Sequence, residues 1–253
     1  MKLNKALYGC VQSALQWYKE ISGYSVSISF QINRMDPCVF NKMDINGKQL
    51  TIVLHVDDLM FMGADDSINI AISKLKVKYG ELTVHEGNVL PYLGMVFDFS
   101  KADKVRISMD KYVEDLLRLY DVKGKAKTPA LPNLLTVNEA SEVLCESERE
   151  EFHSRVAKLL YLAKRVRPEI LPAIIFLTGR VNKATEDDKD KLNRILYYLN
   201  YYPKLGIGLS TQANSNSTSI ISYIDVSFAT EMDYKSRTGV VISFGGVQYM
   251  LNQ

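Results

Sequence analysis

Only three cysteines, three histidines and one tryptophan occur among the 253 residues. Cys10, Cys38 and Cys145 stand far apart and form no CxxC pair, so neither a disulfide framework nor a thiolate zinc site is readable, and a reducing compartment fits. None of His55, His85 and His153 has metal-ligand spacing with the adjacent carboxylates Asp57 and Asp58. The sequence carries no P-loop, no GxSxG and no HExxH, which excludes the nucleotide-cradle, nucleophile-elbow and zincin patterns. No apolar run approaches the roughly 18 residues of a membrane span. The longest, "ILPAIIFLTG", is broken by Pro172. No leader pattern precedes the first helical stretch. Charge of one sign is also missing. The net charge is +2, so whole-molecule electrostatics announce no nucleic-acid binder.

What is present is a globular composition, 47% hydrophobic, long enough for a real core in one large or two modest domains. Locally the charge is uneven. Over 153–183 seven basic residues face one acidic, Glu169, whereas 131–152 hold six glutamates against Arg149 alone. A solvated helix face and a phosphate-binding face, with Lys158, Lys164, Arg165 and Arg167 on phosphates and Tyr112 against a backbone, are both open readings of the basic run.

Periodicity supplies an element order. Leu3, Leu7, Cys10, Ala14, Trp17 and Ile21 predict a helix over 3–22 that stops at Gly23. "CVFNKM", the turn "DING" and "QLTIVLHV" predict a hairpin, and "LMFMG" a further strand. Helices are expected over 67–79, 110–120, 148–166 and 169–182. Another starts at Thr185, where "TEDD" has the form of a capping box. "YLGMVFDFS" and "KVRISM" predict strands, and after the polar loop "STQANSNST" so do "SIISYIDVSFAT" and "RTGVVISFGG". There are no internal repeats.

Within this pattern "LHVDDLMF" is anomalous. Asp57 and Asp58 interrupt an apolar stretch, and burying unpaired charge is expensive. Their position at the junction of two strands predicts a tight turn that lifts both carboxylates to the surface. Adjacent carboxylates on a turn suit Mg²⁺, which takes one or two carboxylates and completes its shell with water and phosphate. Aspartates also favour turns for local backbone reasons, so the pair alone is a weak signal.

Taken in order, "KALYGCVQ", "DPCVF", "LHVDDLMFMG" and "YLGMVF" resemble the reverse transcriptase of Copia-type LTR retrotransposons. "RISMDKYVEDLLRLYDV" with "TP" resembles that family's thumb. "LLYLAKRVRPEILPAIIFLTGRVNKAT" resembles its connection, and "YIDVSFATEMDYKSRTGVVISFGG" the opening of its ribonuclease H. The resemblance implies an α+β fold: an antiparallel palm-like sheet with helices on one face, a helical thumb and connection, then a partial ribonuclease H-like sheet. It implies palm and thumb over 1–130, connection over 131–213 and ribonuclease H over 214–253. It also implies that the chain is a piece of a polyprotein, beginning at the helix that follows the family's first catalytic aspartate.

By the same resemblance Asp57 is the stronger metal ligand and Asp58 its helper, with Mg²⁺ as cofactor and Mn²⁺ as its substitute. His55 stands where the family usually has tyrosine, a departure that puts normal activity in question. Tyr8, Gly9, Gln12, His55 and Gly94 are the implied contacts to nucleotide or nucleic acid. Asp225 matches the first metal-binding carboxylate of the ribonuclease H, but Ser227 replaces the second. The implied partners are an RNA/DNA template-primer and dNTPs, with no membrane. The implied location is intracellular, in a cytoplasmic virus-like particle or the nucleus. Negligible synthesis by this chain alone is expected, because two-metal catalysis is cooperative. A non-catalytic nucleic-acid-binding remnant is the alternative.

Overall fold

A computed structural model of the chain describes residues 9–210, 220–228 and 236–244. They fall into two compact units, Met1–His85 and Glu86–Gln253, each built around its own apolar cluster.

The first unit runs α1 (Val11–Ser27), β1 (Gln31–Ile32), β2 (Val39–Met43), β3 (Gln49–His55), β4 (Asp58–Met62) and α2 (Asp65–Tyr79). The four strands form one antiparallel sheet in chain order. Alternation along β3 puts Leu50, Ile52 and Leu54 inward, where they meet Phe40 of β2, Ile21 of α1 and Ala71 and Leu75 of α2. Both helices therefore cover one face of the sheet. The other face keeps Gln49, Thr51, Val53 and His55.

Helix α1 does not stop at Gly23. The glycine lies exposed within the helix, where it costs about 1 kcal/mol, and the buried stripe continues past it through Ser25. The stop comes at Ser29, whose φ is +76°. There the Phe30 N–H reaches back to the Ser25 carbonyl at 3.0 Å and closes the last turn. The "DING" segment is a turn as expected. Asp44 Oδ1 accepts the N–H groups of Asn46 and Lys48 at 2.8 and 2.7 Å, and these bonds hold its carboxyl below the ordinary aspartate range.

The second unit runs β5 (Val89–Tyr92), β6 (Met95–Lys101), β7 (Lys104–Ser108), α3 (Asp110–Leu119), α4 (Glu146–Ala163), α5 (Leu171–Thr178), α6 (Glu186–Tyr201), β8 (Ile207–Ser210), β9 (Ile220–Ser227) and β10 (Arg237–Phe244). Strands β5 to β8 form a second antiparallel sheet in that order. Two features depart from the sequence reading. "YLGMVFDFS" is two strands, because Leu93 and Gly94 turn the chain with φ of +52° and +76°, the two left-handed residues of a tight hairpin. Strand β8 was not foreseen; it is short and joins the sheet only by pairing with β7. Helices α3 to α6 enclose a core of Val113, Val156, Leu159, Ile174, Ile195 and Leu199, among others. The capping box at Thr185 is present. Its N–H donates to Asp188 Oδ2 at 3.0 Å, and the Asp188 N–H donates back to its hydroxyl at 3.4 Å.

Strands β9 and β10 pair only with each other among the described residues. Their register puts Ile220, Ile224, Val226, Val240 and Ile242 on one face, and all five are exposed. The mixed helical and antiparallel architecture is the expected α+β class.

Candidate metal-binding turn

The β3–β4 connection is two residues long. His55 pairs with Asp58 across the ladder, leaving Val56 and Asp57 as the turn. A two-residue hairpin requires left-handed backbone at its first or both central positions. Here Val56 takes it, with φ +53°. A β-branched residue is a poor occupant, since its Cβ crowds the following carbonyl at about 1–2 kcal/mol. One contact offsets this. The indole N–H of Trp17, in α1, donates to the Val56 carbonyl at 2.5 Å. Trp17 is braced in turn by Tyr79 of α2, ring edge to ring face at 5.4 Å, and Tyr79 by Tyr24 at 5.6 Å. The turn is thus tied to both helices beneath the sheet.

The outcome is the exposure the sequence predicted. His55, Asp57 and Asp58 are all solvent-exposed at one end of the sheet, and among the described residues neither aspartate enters an ion pair. Two free hard-oxygen donors on a braced turn fit a Mg²⁺ that takes its remaining ligands from water and phosphate. They do not make a closed site by themselves. Among the described residues no three His, Cys, Asp or Glu side chains gather in a metal-binding group.

The other anticipated residues lie on other elements of the chain. Gly9 and Gln12 lie at the start of α1, both exposed. Gly9 has φ +88° with nothing within 4 Å of a Cβ, so its backbone conformation, not crowding, calls for glycine. Tyr8 lies outside the described residues. Gly94 belongs to the second unit, at the tip of the β5–β6 hairpin, where a Cβ would stand 3.0 Å from the Tyr161 hydroxyl. Asp225 is exposed on β9, opposite Gly239. Among the described residues of the first unit, the structure brings His55, Asp57 and Asp58 together on one turn. Trp17 and Val56 escaped the sequence reading. Trp17 reads as one more apolar position of a helical stripe, and its indole donor has meaning only once the turn is next to it.

The basic run is corrected. Arg167 is fully buried. Its Nε donates to Glu169 at 2.5 Å and its Nη1 to the Tyr202 carbonyl at 3.0 Å, so it cannot meet a phosphate. Arg180 is also buried, paired with Asp188 at 3.1 Å.

The paired carboxylates on this tight end turn lie in a segment whose class is given by comparison with known proteins. Residues 1–134 match the reverse transcriptase (RNA-dependent DNA polymerase) family, to which the chain belongs. Its relatives are of Copia type. The chain is 27% identical over 97% of its length to the "Retrovirus-related Pol polyprotein from transposon TNT 1-94" of Nicotiana tabacum. It is 29% identical over 96% to that from transposon RE1 of Arabidopsis thaliana, and 25% identical over 97% to the "Truncated transposon Ty1-A Gag-Pol polyprotein" of Saccharomyces cerevisiae. It spans 19%, 16% and 22% of those proteins respectively. No solved structure matches it. No helix among the described residues is long and apolar enough to cross a membrane.

Proposed function

We propose that the β3–β4 turn is the metal-binding carboxylate turn of an RNA-directed DNA polymerase, acting on an RNA/DNA template-primer and dNTPs. The observation that carries this reading is the braced, exposed turn with Asp57 and Asp58 side by side, lying inside the segment that matches the reverse transcriptase family. Bound Mg²⁺ supplies Lewis acidity toward the attacking hydroxyl and the phosphoryl oxygens. The chain's own residues do the holding. Asp57 presents its carboxylate from the turn as the stronger ligand, and Asp58 adds a second from the first ladder position of β4. Trp17 keeps the turn in place. His55, opposite Asp58, takes the position from which a planar polar ring meets the primer end; Gly9 lets backbone approach the template strand and incoming nucleotide, Gln12 serves the template, and Tyr8 packs near the nucleotide sugar.

In this reading residues 1–130 are palm and thumb, with Gly94 in a primer-contacting hairpin; 131–213 are a helical connection; and 214–253 are ribonuclease H-like, with Asp225 as one of its metal ligands. The isolated pair supports a further expectation. Nucleotidyl transfer by two metals draws on more than two carboxylates, and among the described residues no third joins the pair, so negligible synthesis by this chain alone is expected.

Trp17 makes the metal reading testable without catalysis. Mn²⁺ titration is expected to quench its emission with saturation, and Asp57→Asn/Asp58→Asn to abolish the saturable part; unchanged quenching in that variant refutes the site. Extension of oligo-dT on poly-rA with Mg²⁺ or Mn²⁺ tests the second expectation, and clear templated synthesis by the purified chain overturns it.

A further inference from the structure

Of the seven prolines, only Pro129 follows a serine or threonine, Thr128. The pair lies in the second unit between α3 and α4, where residues 121–142 contain no helix or strand. That segment is a strap along α6. The Ala126 N–H donates to the Tyr197 carbonyl at 3.1 Å, Asn200 Nδ2 to the Gly124 carbonyl at 2.9 Å, and Lys191 Nζ to the Thr136 carbonyl at 2.6 Å. The strap lies so close that a Cβ on Gly124 would enter the Tyr197 ring. Thr128 is exposed within it, and the proline that follows disfavours helical backbone there.

The Thr128 hydroxyl faces a cation with spare capacity. Arg194 Nη2 donates to it at 2.9 Å. Among the described residues this is the one hydrogen bond of Arg194, and no carboxylate pairs with it. Its Nε, on the same edge of the planar fork as Nη2, is buried and has no acceptor, a costly state for a charged group. A hydroxyl satisfies one donor of that edge. A phosphate takes both at once, because guanidinium and phosphate match as a fork. The surrounding sequence adds to the attraction: residues 122–138 hold three lysines and no carboxylate. Of these, Lys125 and Lys127 are exposed and have no acidic partner among the described residues.

We propose that Thr128 is a phosphorylation site for a proline-directed Ser/Thr protein kinase, that Arg194 receives the phosphate, and that the mark tightens the strap on α6. In the transfer the Thr128 Oγ attacks the γ-phosphorus of ATP. The Oγ–P bond forms as the bond to the β,γ-bridging oxygen breaks, ADP leaves, and the hydroxyl proton passes to the kinase's base. The product carries nearly two negative charges at neutral pH. It gives up only the Thr128 hydroxyl's own bond to the Ala130 carbonyl, 3.0 Å long. The metal turn and the polymerase reading play no part in this.

The test incubates the full chain with a purified mitogen-activated protein kinase and Mg-ATP, and locates the product by intact mass and fragmentation. One phosphate per chain is expected, on Thr128, and its incorporation is lost in Thr128→Val and in Pro129→Ala. Phosphorus NMR then follows the second ionisation of the phosphate. The reference is the phosphorylated peptide 121–133, which carries the lysines but not Arg194 and should titrate near the ordinary value of about 6. In the chain the same ionisation is expected at least about half a pH unit lower, since an adjacent guanidinium favours the dianion, and Arg194→Gln is expected to return it to the peptide's value. Phosphorylation is also expected to slow hydrogen exchange of the Ala126 amide by about tenfold, as the charged fork holds the strap closed. Absence of incorporation at Thr128 overturns the site. A phosphate that titrates in the chain as it does in the peptide, or an unchanged Ala126 exchange rate, overturns the role of Arg194. Far-UV circular dichroism verifies that Arg194→Gln is folded, and the comparison of chain with peptide requires no variant.

Discussion

Val56 occupies a backbone region that β-branched residues avoid, and the Trp17 indole N–H holds it there. The two ends of this hydrogen bond have opposite expected signs. Trp17→Phe keeps a ring against Tyr79 but loses the donor, and a drop of about 1 kcal/mol is expected. Val56→Gly releases the left-handed cost, less the extra chain entropy of glycine, for a net gain of about 0.5–1 kcal/mol. Urea unfolding followed by far-UV circular dichroism measures both, and a neutral pair would show that the turn is not strained. Arg167 is a second residue whose burial decides its role. Arg167→Met leaves Glu169 and the Tyr202 carbonyl without their donor, and a loss of about 3 kcal/mol is expected in the same urea unfolding. The sequence could not separate Arg167 from its neighbours by charge. Helix α4 ends at Ala163 and the chain turns at Pro168, so Arg167 turns inward while Lys164 stays exposed and Arg165 half-buried. The exposure of the paired aspartates, by contrast, was legible, because two charges between apolar strand runs belong at the turn that joins them.

Between elements, one cross-link has a pH signature. Lys189 of α6 donates to Glu148 of α4 at 3.0 Å and to Glu186 at 3.1 Å, and Glu148 also accepts the Cys145 N–H at 3.2 Å. The Lys189 hydrogen bond, first among these, pulls the Glu148 carboxyl down to about 2 from 4.5, while Glu148 pushes the Lys189 amine up. A depressed carboxylate contributes stability above its unfolded value, and the contribution is lost as pH falls through the folded one. Urea midpoints of the wild type are therefore expected to fall between pH 4.5 and about 2, and Glu148→Gln to flatten that fall. A variant with the wild-type acid limb would locate the pH dependence elsewhere. At this scale the capping box at Thr185 and the "DING" turn were readable, because their chemistry is local. Strand β8 and the Leu93–Gly94 turn were not. A four-residue strand is defined by its neighbour, and Leu-Gly is an uncommon pair for two left-handed positions, where Asn-Gly would have signalled the hairpin.

Across the whole molecule, two separate cores imply two unfolding events. Trp17, the only tryptophan, belongs to the first unit, so its emission follows that unit alone, while far-UV circular dichroism follows both. The midpoints are expected to differ. Phe40→Ala should move the fluorescence transition by about 3–5 kcal/mol, and Leu159→Ala should leave it in place while lowering the other by about 2–5 kcal/mol. Coincident shifts from either substitution would indicate one cooperative block.

The β9–β10 pair has a consequence for anyone preparing this protein. Among the described residues this two-stranded ribbon has an unpaired edge on each side, and one of its flat sides is lined with exposed aliphatic groups. Such a ribbon is expected to recruit copies of itself. Sedimentation velocity should register self-association that grows with concentration, and Ile224→Lys should return the chain to a monomer by placing a charge in the middle of the aliphatic side.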